Sequence, residues 1–301
     1  CFQVPARLQS GLTLVLSPLI ALMKDQVDQA RRKGLRATFI NSSLSKGEKL
    51  ERYRQVKAGE YELLYVTPER FRKSAFLDAL GSQKISLLAI DEAHCISEWG
   101  HDFRPDYSRI AEIREKLGKP TTMALTATAT PRVQKHIVEQ LGLAPSEITV
   151  FTSGFSRSNL HFKVFDVHAL DDKIRHFVGL RAQNPGSAIV YFSLISTLEK
   201  FSKEIAKLGI SHTLYHGGLK DHARKRNQEQ FLAGPADLIL ATPAFGLGID
   251  KPNVRLVLHA ETPGSLEAYY QEAGRAGRDG QDSLCALLYD PDDISIQEDF
   301  I

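Results

Sequence analysis

Short apolar runs alternate along this chain with longer stretches whose apolar residues recur at helical spacing. In the first half the runs predict strands over Leu12–Leu16, Ala37–Ile40, Glu62–Val66, Ile85–Ile90, Thr122–Leu125 and Ile148–Phe151. Helical periodicity fills the gaps, as in Leu19–Lys33, Lys46–Ala58 and Pro131–Leu141. Strands alternating with helices predict a mainly parallel sheet covered on both faces. The segment Thr152–Asn159 is rich in Ser, Gly and Arg, lacks an apolar period and reads as a linker. Beyond it the alternation restarts, with strands over His161–Phe165, Ser187–Tyr191, His212–Tyr215, Asp237–Ala241, Val254–His259 and Leu284–Leu288. Helices are predicted over Asp171–Arg181, Thr197–Leu208 and Asp221–Phe231. The fold class is therefore α/β, with two domains in tandem, 1–154 and 155–301.

Composition narrows the class. The 301 residues suffice for two domains, and 43% hydrophobic with 25% charged residues is ordinary for a globular protein. No apolar run is long enough to span a bilayer and no signal peptide opens the chain, so an intracellular protein without a membrane partner is expected. The net charge of +2 is a mild basic bias that permits nucleic-acid binding without demanding it. The three cysteines, Cys1, Cys95 and Cys285, are far apart and form no C-x-x-C pair. Neither a cysteine zinc site nor a disulfide framework is expected, which suits a reducing compartment.

The stretch Ile90–Tyr107 carries the most chemistry: I-D-E-A-H-C-I-S-E-W-G-H-D-F-R-P-D-Y. Asp91 and Glu92 fall where the strand Ile85–Ile90 ends, and open α/β sheets bind ligands beyond the carboxyl ends of their strands. Adjacent carboxylates there suit a magnesium ion and an attacking water. The tail interleaves Trp99, Phe103 and Tyr107 with His101 and Arg104, a mixture suited to stacking on bases and pairing with phosphates.

D-E-A-H followed by this tail resembles the RecQ family of DNA helicases, in which it is the Walker B motif and an aromatic-rich loop. The resemblance implies two tandem RecA-like domains and a motor that couples hydrolysis of ATP with Mg²⁺ to 3′-to-5′ movement on single-stranded DNA and unwinding at single-strand/duplex junctions. Asp91 is then the Mg²⁺ residue, acting through water, and Glu92 orients and deprotonates the attacking water. His94 couples the ATP site to the DNA side. Trp99, His101, Phe103 and Arg104 are DNA contacts.

Further segments resemble the family's other motifs. Ser17-Pro18 follows a strand and precedes a helix, with Ser17 as the expected N-cap and Pro18 in the first turn. Such a start can hold a phosphate of a nucleic-acid strand on free backbone N–H groups. With Lys24 and Gln26 it resembles motif Ia. Thr67-Pro68 repeats the device and resembles motif Ib. Thr126 and Thr128 lie in a T-A-T segment similar to motif III, bridging the carboxylates to the domain interface. In the second half, His216-Gly217-Gly218 and Thr242 fall in segments similar to the family's nucleic-acid motifs. The second of these continues to Gly248 and Asp250, with Asp250 suited to ribose or coupling contacts. Pro243 departs from the Val or Ile usual in the family. The run Y-Q-E-A-G-R-A-G-R-D-G resembles motif VI and assigns catalytic roles to Gln271, Arg275 and Arg278. Arg275 and Arg278, three apart, would share a helix face, and Arg278 is the arginine finger that reaches the γ-phosphate.

No G-x-x-x-x-G-K-[ST] phosphate loop occurs in the sequence. Cys1–Ala6 resembles the segment that follows that loop in the family, so the loop is expected upstream of Cys1, and the chain as it stands is expected to hydrolyse little ATP. The zinc-binding and winged-helix regions usual in the family do not follow Asp293, and no zinc is expected. Two other functions stay open: a DEAD/DEAH-type RNA helicase, against which the aromatic loop argues, and a non-catalytic single-stranded DNA-binding fragment. Protein partners cannot be read from the sequence.

Overall fold

The computed structural model describes residues 1–97, 103–152, 154, 156–234, 236–246 and 251–298. The chain divides into two compact units, Cys1–Thr152 and Ser153–Ile301.

In the first unit, strands β1 (Leu12–Leu16), β2 (Ala37–Ile40), β3 (Leu63–Val66), β4 (Ile85–Ile90) and β5 (Thr122–Ala124) form one sheet in the order β2-β3-β1-β4-β5. Every pairing is parallel. Helices α1 (Gln3–Leu8), α2 (Ile20–Arg32), α3 (Lys46–Lys57), α4 (Ser74–Leu80), α5 (Ile110–Lys116) and α6 (Pro131–Gln140) surround it. The central strand β1 shows why the sequence reads as a continuous apolar run. Leu12, Leu14 and Leu16 pack into one core with Phe71, Phe76 and Tyr107, while Val15 packs into another with Met23, Val27 and Tyr65. A strand covered on both faces has no polar side to alternate with. Local capping sets some helix starts: Ser45 and Glu48 form a reciprocal capping box at α3, and Thr130 caps α6 ahead of Pro131.

The strand expected over Ile148–Phe151 does not form. After a short 3₁₀ turn at Pro145–Glu147 these residues join no sheet among the described residues. Ile148 packs against the core, but Val150 and Phe151 are 57% and 90% exposed. The β-branched run suits a strand locally, yet a strand also needs a neighbour, and the sheet ends at the three-residue β5.

The second unit holds β6 (Leu160–Asp166), β7 (Ser187–Tyr191), β8 (Thr213–Tyr215), β9 (Leu238–Ala241), β10 (Val254–His259) and β11 (Ser283–Tyr289), in the order β6-β11-β10-β7-β9-β8, again all parallel. Its helices are α7 (Ala169–Gln183), α8 (Ile195–Lys207), α9 (Asp221–Ala233), α10 (Leu266–Ala273) and α11 (Asp293–Glu298). Ala188, Val190 and Phe192 face one core while Ile189 and Tyr191 face the other.

Parallel pairing brings all the carboxyl ends in a unit to one edge. In the first unit Leu16 is level with Val66 and Ile90, and Ile90 with Ala124. The residues that follow, Ser17, Thr67, Asp91 and Leu125, therefore share that edge. In the second unit Tyr191 is level with Ala241 and His259, and Ala241 with Tyr215.

Candidate functional site

The two carboxylates emerge from the middle of the first sheet. Asp91 continues the ladder by donating its N–H to Leu16 O at 2.8 Å. Glu92 then turns left-handed, with φ 50° and ψ 50°. That conformation costs a non-glycine residue about 1–2 kcal/mol. It is held from both sides, by Ala93 N–H on Leu125 O at 2.8 Å and Cys95 N–H on Glu92 O at 2.9 Å. A left-handed residue kept at the head of a catalytic candidate is strain the surrounding structure must offset.

Asp91 is half-buried, and burial pushes its carboxyl above the usual range. The Glu92 N–H and the Ser17 hydroxyl donate to the carboxylate and oppose that shift. Ser17 itself is 1% exposed, and its hydroxyl also accepts from Leu19 N–H at 3.4 Å.

His94 is buried and joins Glu92 to the T-A-T segment. Its Nδ1 lies 3.0 Å from Thr126 Oγ1 and 3.4 Å from Glu92 Oε2. The Thr126 hydroxyl donates to Thr128 O at 3.0 Å and accepts from Thr128 N–H at 3.2 Å. A hydroxyl has one proton to give. A ring protonated on Nδ1 offers that hydrogen to Thr126 and to the Glu92 carboxylate; a ring bare at Nδ1 accepts the Thr126 hydrogen instead.

Several expected contacts are placed differently. Helix α2 starts at Ile20 with Leu19 as its N-cap, so Ser17 does not cap it and Pro18 precedes its first turn. Ser17 N–H is taken by Val66 O. Pro18 O accepts from Arg104 Nη1 at 3.1 Å, which ties the segment after β1 to the aromatic loop. Arg104 N–H donates to Cys95 O at 3.1 Å. Phe103 and Arg104 are both half-buried. Lys24 and Gln26 sit two positions apart on α2 and so point different ways. Lys24 reaches solvent and pairs with Asp28 at 3.0 Å, whereas Gln26 buries Oε1 with no partner. Thr67 is buried with an unpartnered hydroxyl, and Pro68 opens a 3₁₀ turn rather than an α-helix. Thr128 is also buried with its hydroxyl unpartnered. Trp99, His101, Gly248 and Asp250 lie outside the described residues.

In the second unit His216 is buried with Nδ1 unpartnered, and Gly217 is exposed beside it. Thr242 N–H donates to Tyr215 O at 3.1 Å, and its carbonyl accepts from Phe245 N–H at 2.8 Å. Gln271 is half-buried on α10.

Arg275 and Arg278 do not share a helix face. Helix α10 ends at Ala273, and the chain then runs through turns, with Gly277 left-handed at φ 54°. Arg275 is 5% exposed and donates to Gly246 O, whereas Arg278 is exposed. Gly246 has φ 155°, and a Cβ there would lie 2.6 Å from Arg275 Cζ. Tyr191 donates to the neighbouring Phe245 O at 2.9 Å. Arg275 is thus packed against the turn after β9, a positioning geometry the sequence did not suggest.

The segment read as a linker also belongs in part to this unit. Arg157 donates to Gly274 O at 3.0 Å and Gly277 O at 2.6 Å, and Asn159 donates to Gly277 O at 2.8 Å. Both grip the glycine-rich loop that carries the two arginines. A polar pair escaped notice as well: His259 Nε2 and Glu272 Oε2, 2.8 Å apart and both buried, with Tyr191 stacked on the imidazole.

Residues 1–137 match the DEAD/DEAH box helicase family and residues 169–280 the helicase conserved C-terminal domain. The chain is 48% identical over 298 residues to the ATP-dependent DNA helicase RecQ of Bacillus subtilis, covering 99% of this chain and 50% of that protein. It is 39% identical over 295 residues to the enzyme of the same name from Haemophilus influenzae, covering 98% of this chain and 47% of that protein. The chain therefore spans about half the length of these relatives. In fold it is similar to S. cerevisiae Dbp5 bound to RNA and ADP BeF3, with a TM-score of 0.73 at 17% identity, covering 99% of this chain and 78% of that one. Both units are RecA-like, each with a parallel sheet and helices on both faces. With its D-E-A-H carboxylates at a strand end and near half of its residues shared with a RecQ protein along almost its whole length, the chain belongs to the RecQ family of helicases.

Proposed function

We propose that this chain is the motor core of an ATP-dependent DNA helicase, coupling Mg-ATP hydrolysis to 3′-to-5′ movement on single-stranded DNA and to opening of single-strand/duplex junctions inside the cell. The single observation that carries the chemistry is the chain of contacts Glu92–His94–Thr126, which links a candidate base to a loop at the same sheet edge. The names of the relatives supply the substrate class.

Among the described residues no group of three or more His, Cys, Asp or Glu could hold a metal ion. Magnesium does not need such a group; it keeps several waters and takes one or two carboxylates with the substrate's phosphates. Asp91 fits that demand. The ion, when bound, neutralises phosphate charge. Glu92 orients and deprotonates the attacking water, with its carboxylate steadied by the Nδ1 proton of His94. Arg278 stabilises the charge that develops on the transferred phosphoryl group, a contribution of about 10³-fold or more in turnover. Arg104, anchored on Pro18 O, and Phe103 form with Trp99 and His101 the loop that senses DNA.

The test is Mg²⁺-dependent ATP hydrolysis by a protein that carries the phosphate loop ahead of Cys1, measured alone, with a single-stranded DNA oligonucleotide and with RNA of the same sequence. Stimulation by DNA is expected. Stimulation by RNA alone would establish an RNA helicase instead, and DNA binding without any effect on or from nucleotide would establish a binding fragment. Trp99→Ala with Phe103→Ala should leave basal hydrolysis and remove the DNA stimulation.

A further inference from the structure

Four strands end the two sheets. Three are short, β2 with four residues and β5 and β8 with three each, and short edges resist pairing with foreign strands. The fourth, β6, runs for seven residues and pairs only with β11 among the described strands.

The direction of its backbone groups is fixed at both ends. Ser283 N–H donates to Asn159 O at 2.9 Å and Val167 N–H to Tyr289 O at 3.0 Å. Backbone groups alternate sides with a period of two along a strand. His161, Lys163 and Phe165 therefore give their backbone to β11, while Phe162 and Val164 turn N–H and C=O to the open edge.

Side chains alternate too. Phe162 and Val164 are 47% and 64% exposed on one face, with the Phe162 ring edge-on to Tyr269. On the other face a groove of about 660 Å³ lies between β6 and α7, lined by His161, Lys163, Phe165, Arg175 and His176 among others. Its acidic lining residue, Asp282, sits 3.3 Å from His161, and Arg175 is held by Asp172 at 2.7 Å. Lys163 has no ion pair among the described residues. The edge is thus apolar on one side and net basic on the other.

We propose that the open edge of β6 and its groove take an extended peptide in which acidic residues alternate with apolar ones, added to the sheet as a further strand. Main-chain bonds to Phe162 and Val164 supply affinity, and alternate side chains supply specificity. The acidic set faces Lys163 and Arg175 while the apolar set covers Phe162 and Val164. A second copy of β6 fits worse, because antiparallel self-pairing centred on Lys163 sets that cation against its own duplicate, and like charges across a ladder destabilise it.

The test is fluorescence anisotropy of a labelled short peptide of alternating Glu and Val titrated with the protein, and its outcome is independent of ATP hydrolysis and DNA binding. Saturable binding is expected with Kd at or below about 100 μM. Affinity should fall at least about tenfold, roughly 1.4 kcal/mol, in each of three changes. N-methylation of alternate peptide amides removes ladder groups without touching the protein. Val164→Pro removes an outward donor and leaves the β11 ladder intact. Lys163→Glu reverses the groove's unpaired charge and should instead favour a peptide of alternating Lys and Val. The proposal is overturned by absence of binding, by binding indifferent to N-methylation and Val164→Pro, by a dimer that Val164→Pro abolishes, or by displacement of the peptide by single-stranded DNA.

Discussion

The His94 Nδ1 and the Thr126 hydroxyl lie 3.0 Å apart, and this hydrogen bond joins the D-E-A-H turn to the loop after β5. Thr126→Val keeps the shape and loses the hydroxyl that meets His94 Nδ1. With the phosphate loop present ahead of Cys1, we expect kcat for DNA-stimulated ATP hydrolysis to fall by about tenfold or more, the scale of a lost positioning contact near a general base. KM for ATP should hold, and Thr126→Ser should restore kcat. Steady-state kinetics on the three proteins decide it; equal kcat in wild type and valine variant would remove this bond from the mechanism.

Glu92 itself is expected to be indispensable. Glu92→Gln keeps the left-handed turn and the size of the side chain while removing the base. In a protein that carries the phosphate loop ahead of Cys1, ATP binding, followed with a fluorescent nucleotide, should persist, and turnover should drop by at least about 10²-fold. Near-normal turnover would exclude Glu92 as the base.

Gly246 and Arg275 form a second tight junction. The backbone of Gly246 is in a conformation that L residues rarely adopt, and Arg275 fills the space a Cβ would need. Gly246→Ala should cost about 1–3 kcal/mol. A lowered unfolding midpoint for the second unit in denaturant would show it, and an unchanged midpoint would mean the turn relaxes freely.

Much of this was legible in the sequence where burial and chemistry change at a sharp boundary. Parallel strands buried on both faces read as apolar runs, and Asp91, Thr67 and Thr242 mark where those runs stop. What stayed hidden rests on contacts distant in sequence. Nothing local to Arg157 announces that it will grip the carbonyls of Gly274 and Gly277. Arg275 and Arg278 obey helical spacing, but helix α10 ends at Ala273, before either is reached, and left-handed Gly277 turns the chain between them. The run Ile148–Phe151 has strand propensity and no strand to pair with.

The glycine-rich loop is also pinned by charge. Arg255 bonds the Asp279 carboxylate, with help from Gln281 N–H, and holds its pKa below the ordinary value of 3.8. A depressed carboxylate stabilises the fold above its unfolded pKa and loses that contribution as pH falls through the folded one. Asp279→Asn should therefore be less stable than wild type at neutral pH, and the gap should close below about pH 4. Urea unfolding across that range tests the sign; a gap that widened in acid would contradict it.

The three cysteines are separated by burial alone. Cys1 is exposed, while Cys95 and Cys285 are fully buried. Burial also pushes the Cys285 thiol up to about 12, so almost none of it is thiolate at neutral pH, and the thiolate is the nucleophile. A disulfide reagent added to the native protein should therefore modify Cys1 quickly and the other two only as fast as the units open. The slow phase reports opening, because a buried thiol in a folded core reacts through that route. Addition of denaturant should bring all three into the fast phase. Rapid reaction of Cys285 in the native protein would mean that the ladder between β10 and β11 opens without global unfolding.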